Sequence, residues 1–403
     1  MIYAYYFFAT ILIWLSYRSY RGGIVYERFI RECLSQMVKT DLPFATIFAP
    51  CRGVDRGFQE NLHQLFAQNY REYEIVFIVD DKKDTAVDEI EAAIREYSSD
   101  TVSARLLVAP KAVESSQKIA NLLHAIPQAD TRSEVFAFVD SDACTGPEWL
   151  ASLVAAASKP NVGAATGYRW LISENGKLGS ELASAWNGSV ASTLGPNTRS
   201  NFCWGGSMAI RREVFDRLDV RTRWKGVLSD DFALTKAVHD AGLELEFVPR
   251  ALCATFEHQA FLQMLEFTTR QMKITRVYSP HLWLLSMFGS ALFCGVMIAS
   301  VVIGLRSEIG SFPSIASILT LVSVTAFTVA KALIRLRAVR FALKGHEPRL
   351  KRQLLPQCVF AFVTPAIFLV NSILALFSRR IAWRGTEYQL KSPSETVIIR
   401  EKR

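Results

Sequence analysis

The chain has 403 residues, enough for one large domain or two modest ones, and half of them are hydrophobic. Its formal net charge is +8, but the basic residues flank apolar runs and do not interleave with aromatics on a soluble face, so the expected partner is anionic lipid headgroups and no nucleic acid. The seven cysteines are odd in number, scattered and without a C-x-x-C pair, which argues against a disulfide framework or zinc site and fits a reducing compartment.

Residues 1–17, "MIYAYYFFATILIWLSY", carry no charge. They read as an uncleaved transmembrane anchor, because a cleaved signal peptide would have a basic flank before the apolar run and a small-x-small site after it. From there to about residue 280, strand-like and helix-like patterns alternate. "FATIFAP" (44–50) is a buried strand stopped by Pro50, and "QENLHQLFAQNY" (59–70) has helical spacing. "YEIVFIVDD" (73–81) is a second strand, "KDTAVDEIEAAIREY" (83–97) an amphipathic helix and "ARLLVA" (104–109) a third strand. "SSQKIANLLHAI" (115–126) is a helix opened by serines suited to capping, and "EVFAFVD" (134–140) a fourth strand. This alternation predicts parallel βαβ units.

Two of these strands end in aspartates: Asp80 and Asp81, then Asp140 and Asp142. In an open α/β sheet the ligand crevice lies outside the carboxyl ends of the strands. Asp also favours turns and helix N-caps, a reading that serves equally well for Asp80 and Asp81. For Asp-Ser-Asp on so apolar a strand the functional reading leads. Two carboxylates on one turn repel unless a cation sits between them, and a divalent metal of the Mg or Mn type would satisfy both. Next, "NFCWGGSMAIRREVFD" (201–216) holds Gly205 and Gly206, which permit close backbone approach to a ligand or, equally, a plain bulge, before a helix starting near Arg212. "VLSDDFALTKAVHDAG" (227–242) sets Asp230 and Asp231 at a helix start, where carboxylates also serve as caps. "TTRQMKITRVY" (268–278) brings Arg270, Lys273, Ile274 and Arg276 just before Trp283, where basic residues are also ordinary interfacial anchors. His258 could face an acceptor, with a surface or satisfied histidine as the competing reading.

Three more uncharged runs follow, at 282–305, 312–330 and 353–377, each long enough to span a bilayer core. Arg18, Arg21 and Arg28 after the first apolar run, and "RLRAVRFALKGHEPRLKR" (335–352) between the last two, place residues 18–280 in the cytosol by the positive-inside rule. Four crossings would then put "RRIAWRGTEYQL" (379–390) outside despite its arginines. The alternative is that the last run, with Pro356 and Pro365, is re-entrant.

From residue 1 to about 390 the order of motifs and apolar runs resembles the family-two-type inverting glycosyltransferases, and among them the ceramide glucosyltransferases and bacterial lipid-glycosylating relatives. The resemblance implies a nucleotide-diphospho-sugar transferase (GT-A-like, Rossmann-like mixed sheet) domain at 18–280, an N-terminal anchor at 1–17, a membrane region at 281–378 and a tail at 379–403. It implies that Asp80 or Asp81 reads the nucleotide base, and that "QKIANL" puts Lys118 and Asn121 near the donor. "FVDSDA" matches the D-x-D motif, with Asp140 nearest the sugar-phosphate and Asp142 a metal ligand. Ceramide enzymes often keep only the first aspartate; both are here, which favours metal dependence. Gly205 and Gly206 would line the sugar and acceptor pocket. Asp231 falls where the catalytic base sits, with Asp230 in place of the usual Glu. Where the family has Gln or Arg followed three residues later by Arg-Trp, this chain has Arg270, then Lys273 and Ile274. Arg276 is then the candidate for the missing guanidinium on the diphosphate. The tail "RRIAWRG" resembles the family's C-terminal ending, without an assigned role.

The implied activity is transfer of a hexose, glucose by resemblance, from a UDP-sugar to a membrane lipid hydroxyl (ceramide-like or diacylglycerol-like) with single-displacement inversion, using Mn or Mg, at the cytosolic face of a bacterial inner membrane. The competing readings are a processive polysaccharide synthase, which would need more spans and an intact Q-x-x-R-W, and a non-catalytic nucleotide-binding membrane protein.

Overall fold

Each strand expected between residues 44 and 140 forms within two residues of its expected limits. The structure, a computed structural model, describes residues 2–401. Its elements run α1 (Ile2–Ser35), β1 (Ala45–Pro50), α2 (Phe58–Phe66), β2 (Tyr73–Val79), α3 (Ala86–Tyr97), β3 (Val102–Val108), α4 (Gln117–Ala125), β4 (Val135–Val139) and α5 (Trp149–Ala157). There follow β5 (Val162–Ser173), α6 (Leu178–Ala191), β6 (Ser207–Arg211), α7 (Arg212–Arg217), α8 (Val220–Arg223), α9 (Asp230–Asp240) and β7 (Glu244–Glu257). The chain continues through α10 (Phe261–Tyr278), α11 (Pro280–Arg306), α12 (Phe312–Ala342), α13 (Glu347–Arg352), α14 (Leu354–Phe360) and α15 (Thr364–Phe377) to β8 (Arg380–Trp383), β9 (Thr386–Ser392) and β10 (Glu395–Glu401).

These elements sort into two compact units that interleave along the chain. One comprises 32–171, 193–256 and 379–403; the other comprises 1–31, 172–192 and 257–378. The divisions expected from the sequence, 1–17, 18–280, 281–378 and 379–403, are contiguous, whereas these two units interleave. No proline interrupts residues 18–35, and α1 runs through Gly22-Gly23 to Ser35 with Tyr26 and Ile30 buried. The tail, set apart in the sequence, folds with the sheet-bearing unit.

The sheet-bearing unit holds a seven-stranded sheet of order β3-β2-β1-β4-β6-β5-β7. β1 pairs parallel with β2 and β4, and β2 with β3, as βαβ connections require. β6 then joins β4 antiparallel, with Val139 opposite Ser207, so the sheet is mixed. This one reversal matters for the site, because the residue leaving β4 faces the residue entering β6. In the core, Phe48 stacks on Phe138 at 5.6 Å between ring centroids, and Phe138 meets Trp224 edge-on at 5.5 Å. Trp224 is fully buried and its indole N–H donates to the Asp230 carbonyl at 3.1 Å, which ties the start of α9 to the core.

The tail forms a small antiparallel sheet, β10-β9-β8. In β9, Thr386, Tyr388 and Leu390 alternate inward, the period-two pattern of a half-buried strand. Tyr388 receives the Gln117 N–H on its hydroxyl at 3.4 Å. Gly226, at φ 74, leaves room for Ser394, whose carbonyl oxygen would lie 2.4 Å from an added Cβ.

The helical unit contains two helices long and apolar enough to cross a membrane, α11 and α12, with mean hydropathy 2.2 and 1.9. α14 and α15 pass that test only as a pair, bent by 56°. Tyr5, Ala9 and Leu12 of α1 pack on Val296 and Val324 of these helices. Trp283 is buried and donates to the Ser372 carbonyl at 3.1 Å. Its indole finds a partner inside the helix packing, which satisfies a donor that would otherwise need water.

A single folded unit cannot be divided by a bilayer, so residues 379–403 lie on the same side as 32–171. The bent α14–α15 pair is either one broken span or a re-entrant loop. Epitope tags appended at the C-terminus and inserted in the exposed turn at residues 99–101 are expected to become accessible from the same side of sealed vesicles. Accessibility from opposite sides would contradict this.

Candidate active site

The chemistry gathers where β4 hands over to its turn and β6 begins. Asp140 follows β4, and its backbone N–H donates to the Gly206 carbonyl at 3.3 Å. Opposite, the Ser116 side chain caps α4 by accepting from the Ile119 N–H, which presents Lys118 in the first turn. The Lys118 ammonium then reaches Asp140 Oδ1 at 2.7 Å, the Gly205 carbonyl at 3.1 Å and Asp230 Oδ2 at 3.1 Å. The ammonium thus makes two hydrogen bonds and one close ion pair. Lys118 joins the turn after β4, the Gly205 backbone and the start of α9.

Gly205 and Gly206 are explained by the same cluster. A Cβ on Gly205 would lie 2.3 Å from Asp230 Oδ2 and 2.7 Å from Lys118 Nζ; one on Gly206 would lie 2.3 Å from the Trp204 ring and 2.7 Å from Asp140 Oδ2. The close approach that glycine permits is used by this chain's own charges. Asp230, read as standing in place of the family's Glu, is buried at 3% exposure against Lys118. Its carboxyl is pushed up to about 6, by burial first, with Lys118 opposing and Asp231 and Asp140 adding.

Asp231 sits beside it at the start of α9, half-buried. One carboxylate oxygen accepts from the Phe232 N–H at 2.7 Å and from the Ser229 hydroxyl; the other accepts only the Gly205 N–H, at 3.3 Å. The group is oriented by the first oxygen and lightly held at the second.

For Asp140, burial works to raise the carboxyl, but the Lys118 ammonium outweighs it and holds it below the usual range, with Arg169 and Arg384 contributing. Asp142 is raised by burial and then by Asp140, against Arg169 and Arg384. One buried ammonium thus fails to neutralise the Asp140-Asp142 turn, which is the condition a divalent cation would relieve. Among the described residues no group of three or more His, Cys, Asp or Glu could hold an ion alone. Asp140 and Asp142 would accordingly share it with diphosphate oxygens and water, the usual arrangement for Mg.

The two aspartates after β2 separate cleanly. Asp81 is exposed and accepts the Lys83 N–H in a local turn at 2.9 Å. Asp80 is buried and meets Lys111 at 2.9 Å and Arg52 at 3.8 Å. Asn121, expected near the donor, is buried and accepts from Gln117 Nε2 at 2.8 Å. Gln117 in turn bonds the Pro110 carbonyl and the Ala112 N–H, so Asn121 supports that loop.

The remaining expected residues belong to α10 in the helical unit. Arg270 lies over the Phe267 ring at 5.6 Å, and Lys273 is half-buried with its pKa lowered by burial. Ile274 is buried at 7% exposure and fills packing space. Arg276, expected on the diphosphate, instead donates to the Ala375 and Leu376 carbonyls at 2.6 and 3.0 Å, capping α15, and lies over Trp283. His258 is an exposed histidine bonded to Asn175 and Lys177.

The sequence reading left out three groups at this corner: Asp55, Arg169 and Arg384. Arg169 interrupts an otherwise apolar β5, which was a visible signal; Arg384 stands in a motif that carried no role.

Comparison with known proteins now bears on the site. Ceramide glucosyltransferase 3 of Caenorhabditis elegans is 30% identical over 120 residues, which span 29% of this chain and 23% of that protein. The mannosyltransferase PcManGT of Pyrobaculum calidifontis, solved with GDP-Man and Mn2+, is 18% identical with a TM-score of 0.43, covering 92% of this chain and 99% of that one. GalNAc-T7, solved with UDP, GalNAc and Mn2+, is 17% identical with a TM-score of 0.41, covering 59% and 48%. The model of Glycosyl transferase family 21 matches residues 11–396, nearly the whole chain. The chain belongs to glycosyl transferase family 21.

Proposed function

We propose that this glycosyltransferase moves a hexose, glucose, from a UDP-sugar to the hydroxyl of a membrane lipid of ceramide-like or diacylglycerol-like type, by single displacement with inversion. The observation that carries the reading is the arrangement around Lys118. That ammonium joins the D-x-D turn to the start of α9, so the sugar-phosphate corner and the Asp231 carboxylate are held in one cluster.

A displacement at the anomeric carbon needs a group to take the acceptor's proton as its oxygen attacks, and a carboxylate within hydrogen-bond reach can do this. Asp231 is suited by its half-exposed position and lightly engaged second oxygen. A divalent ion held by Asp140 and Asp142 would offset charge developing on the leaving diphosphate. Asp80, paired with Lys111 and Arg52, lies after the neighbouring strand β2, where the nucleotide base is expected. The apolar helices α11 and α12 support an acceptor that reaches the enzyme from a bilayer, with the sheet-bearing unit on the cytosolic side.

Purified enzyme is best tested against UDP- and GDP-sugars with ceramide and diacylglycerol acceptors. Asp231→Asn is expected to lower transfer by about 10²–10⁴-fold while nucleotide-sugar binding persists; unchanged transfer would remove Asp231 from the base role, and no turnover by wild type of any donor would overturn the transferase reading. Chelation is expected to stop turnover, Mn or Mg to restore it, and Asp142→Asn to raise the metal concentration required. Full activity in chelator would contradict the metal assignment.

A further inference from the structure

β8 and β9 are joined by Arg384 and Gly385, at φ 48 and 80. Such a two-residue turn favours Asn-Gly or Asp-Gly, and an arginine in the left-handed region is unfavourable for an L residue. Backbone strain of this kind motivates a search for function. The side chain supplies one. Arg384 Nη1 and Nη2 grip Asp55 Oδ1 and Oδ2, each at 2.7 Å, and Nη1 also lies 3.4 Å from the Arg52 carbonyl. The same Asp55 Oδ2 accepts the Ser141 hydroxyl at 2.7 Å, and Ser141 is the middle residue of Asp-Ser-Asp. Asn61 fixes the Ser141 carbonyl at 3.0 Å. Two hydrogen bonds thus connect the tail's guanidinium to the turn that carries Asp140 and Asp142.

The fork is only partly used. Of five N–H donors, Nε–H and one Nη2–H have no protein partner among the described residues, and the side chain remains 40% exposed. Arg384 also acts electrostatically on both Asp140 and Asp142.

We propose that Arg384 binds the diphosphate of the donor nucleotide, pre-oriented by Asp55, so that the C-terminal sheet supplies part of the donor site. The inference rests on the sugar-nucleotide reading above. A planar guanidinium matches phosphate oxygens with parallel N–H donors, and a diphosphate entering beside carboxylates needs fixed cations. Lys118 is committed to Asp140, the Gly205 carbonyl and Asp230, and Arg276 caps α15. The sheet itself is fastened at other points, by Tyr388 on the Gln117 N–H and by Glu401 on Lys111 and Arg52 at 3.3 Å. Changing the turn residue therefore leaves it docked.

The test compares binding of UDP with UMP, and GDP with GMP, to the purified full chain in Mn2+, for wild type, Arg384→Gln and Arg384→Lys. Arg384→Gln is expected to weaken diphosphate binding about tenfold or more and monophosphate binding far less, so that the preference for diphosphate collapses. Arg384→Lys, which keeps the charge without the fork, is expected to recover part of it, and thermal melts check that both variants fold. An equal loss for mono- and diphosphate would make Arg384 a structural strap and overturn the proposal, as would an unchanged preference in both variants. If wild type binds no nucleotide, the transferase reading itself falls; if wild type prefers the diphosphate and the variants keep that preference, only the role of Arg384 does.

Discussion

A single buried ammonium holds the site in place. Lys118 draws together the turn after β4, the Gly205 carbonyl 87 positions along the chain, and the first residue of α9. Removing one partner of a buried pair strands the other charge, which costs several kcal/mol, so each element of the cluster depends on the others. The two glycines follow from this dependence, since any side chain there would enter the space the charges occupy. So does the orientation of Asp231, which is braced by the Gly205 N–H and by its own helix start.

What was legible in the sequence was local. Four strands show as apolar runs, three of them buried, and Asp-Ser-Asp stands out because nothing in strand energetics asks for it. The serine cap of α4 and the helix start at Asp230 were readable for the same reason, each being a pattern within a few residues. The assembly of Lys118, Asp230 and Gly205 was not, because it depends on the antiparallel insertion of β6 beside β4, a pairing between distant segments. Charge alone also could not tell a ligand from a cap. Arg276 and Lys118 read alike as donor contacts, while in the structure Arg276 bonds the last carbonyls of α15 and Lys118 meets Asp140. The tail was missed although "TEYQLKS" alternates with period two, since its polar edge positions mask a strand when no neighbour is known.

The C-terminal sheet changes how the ends of the chain are understood. It docks on the sheet-bearing unit through Arg384, Tyr388 and Glu401, so the last apolar segment cannot leave the tail across a membrane from it. The arginines that conflicted with a four-crossing count are consistent once α14 and α15 are a bent pair. The last residues of the described chain thus fold back beside the Asp140-Asp142 turn through Arg384 and Asp55.

Lys118 and Asp230 act as one unit in the site. A double-mutant cycle with Lys118→Met, Asp230→Asn and the pair, read by thermal stability of the detergent-solubilised protein, measures it most directly. The account predicts a coupling of about 0.5–3 kcal/mol, with the double variant more stable than the sum of the single losses allows. Simple additivity of the two substitutions would contradict it.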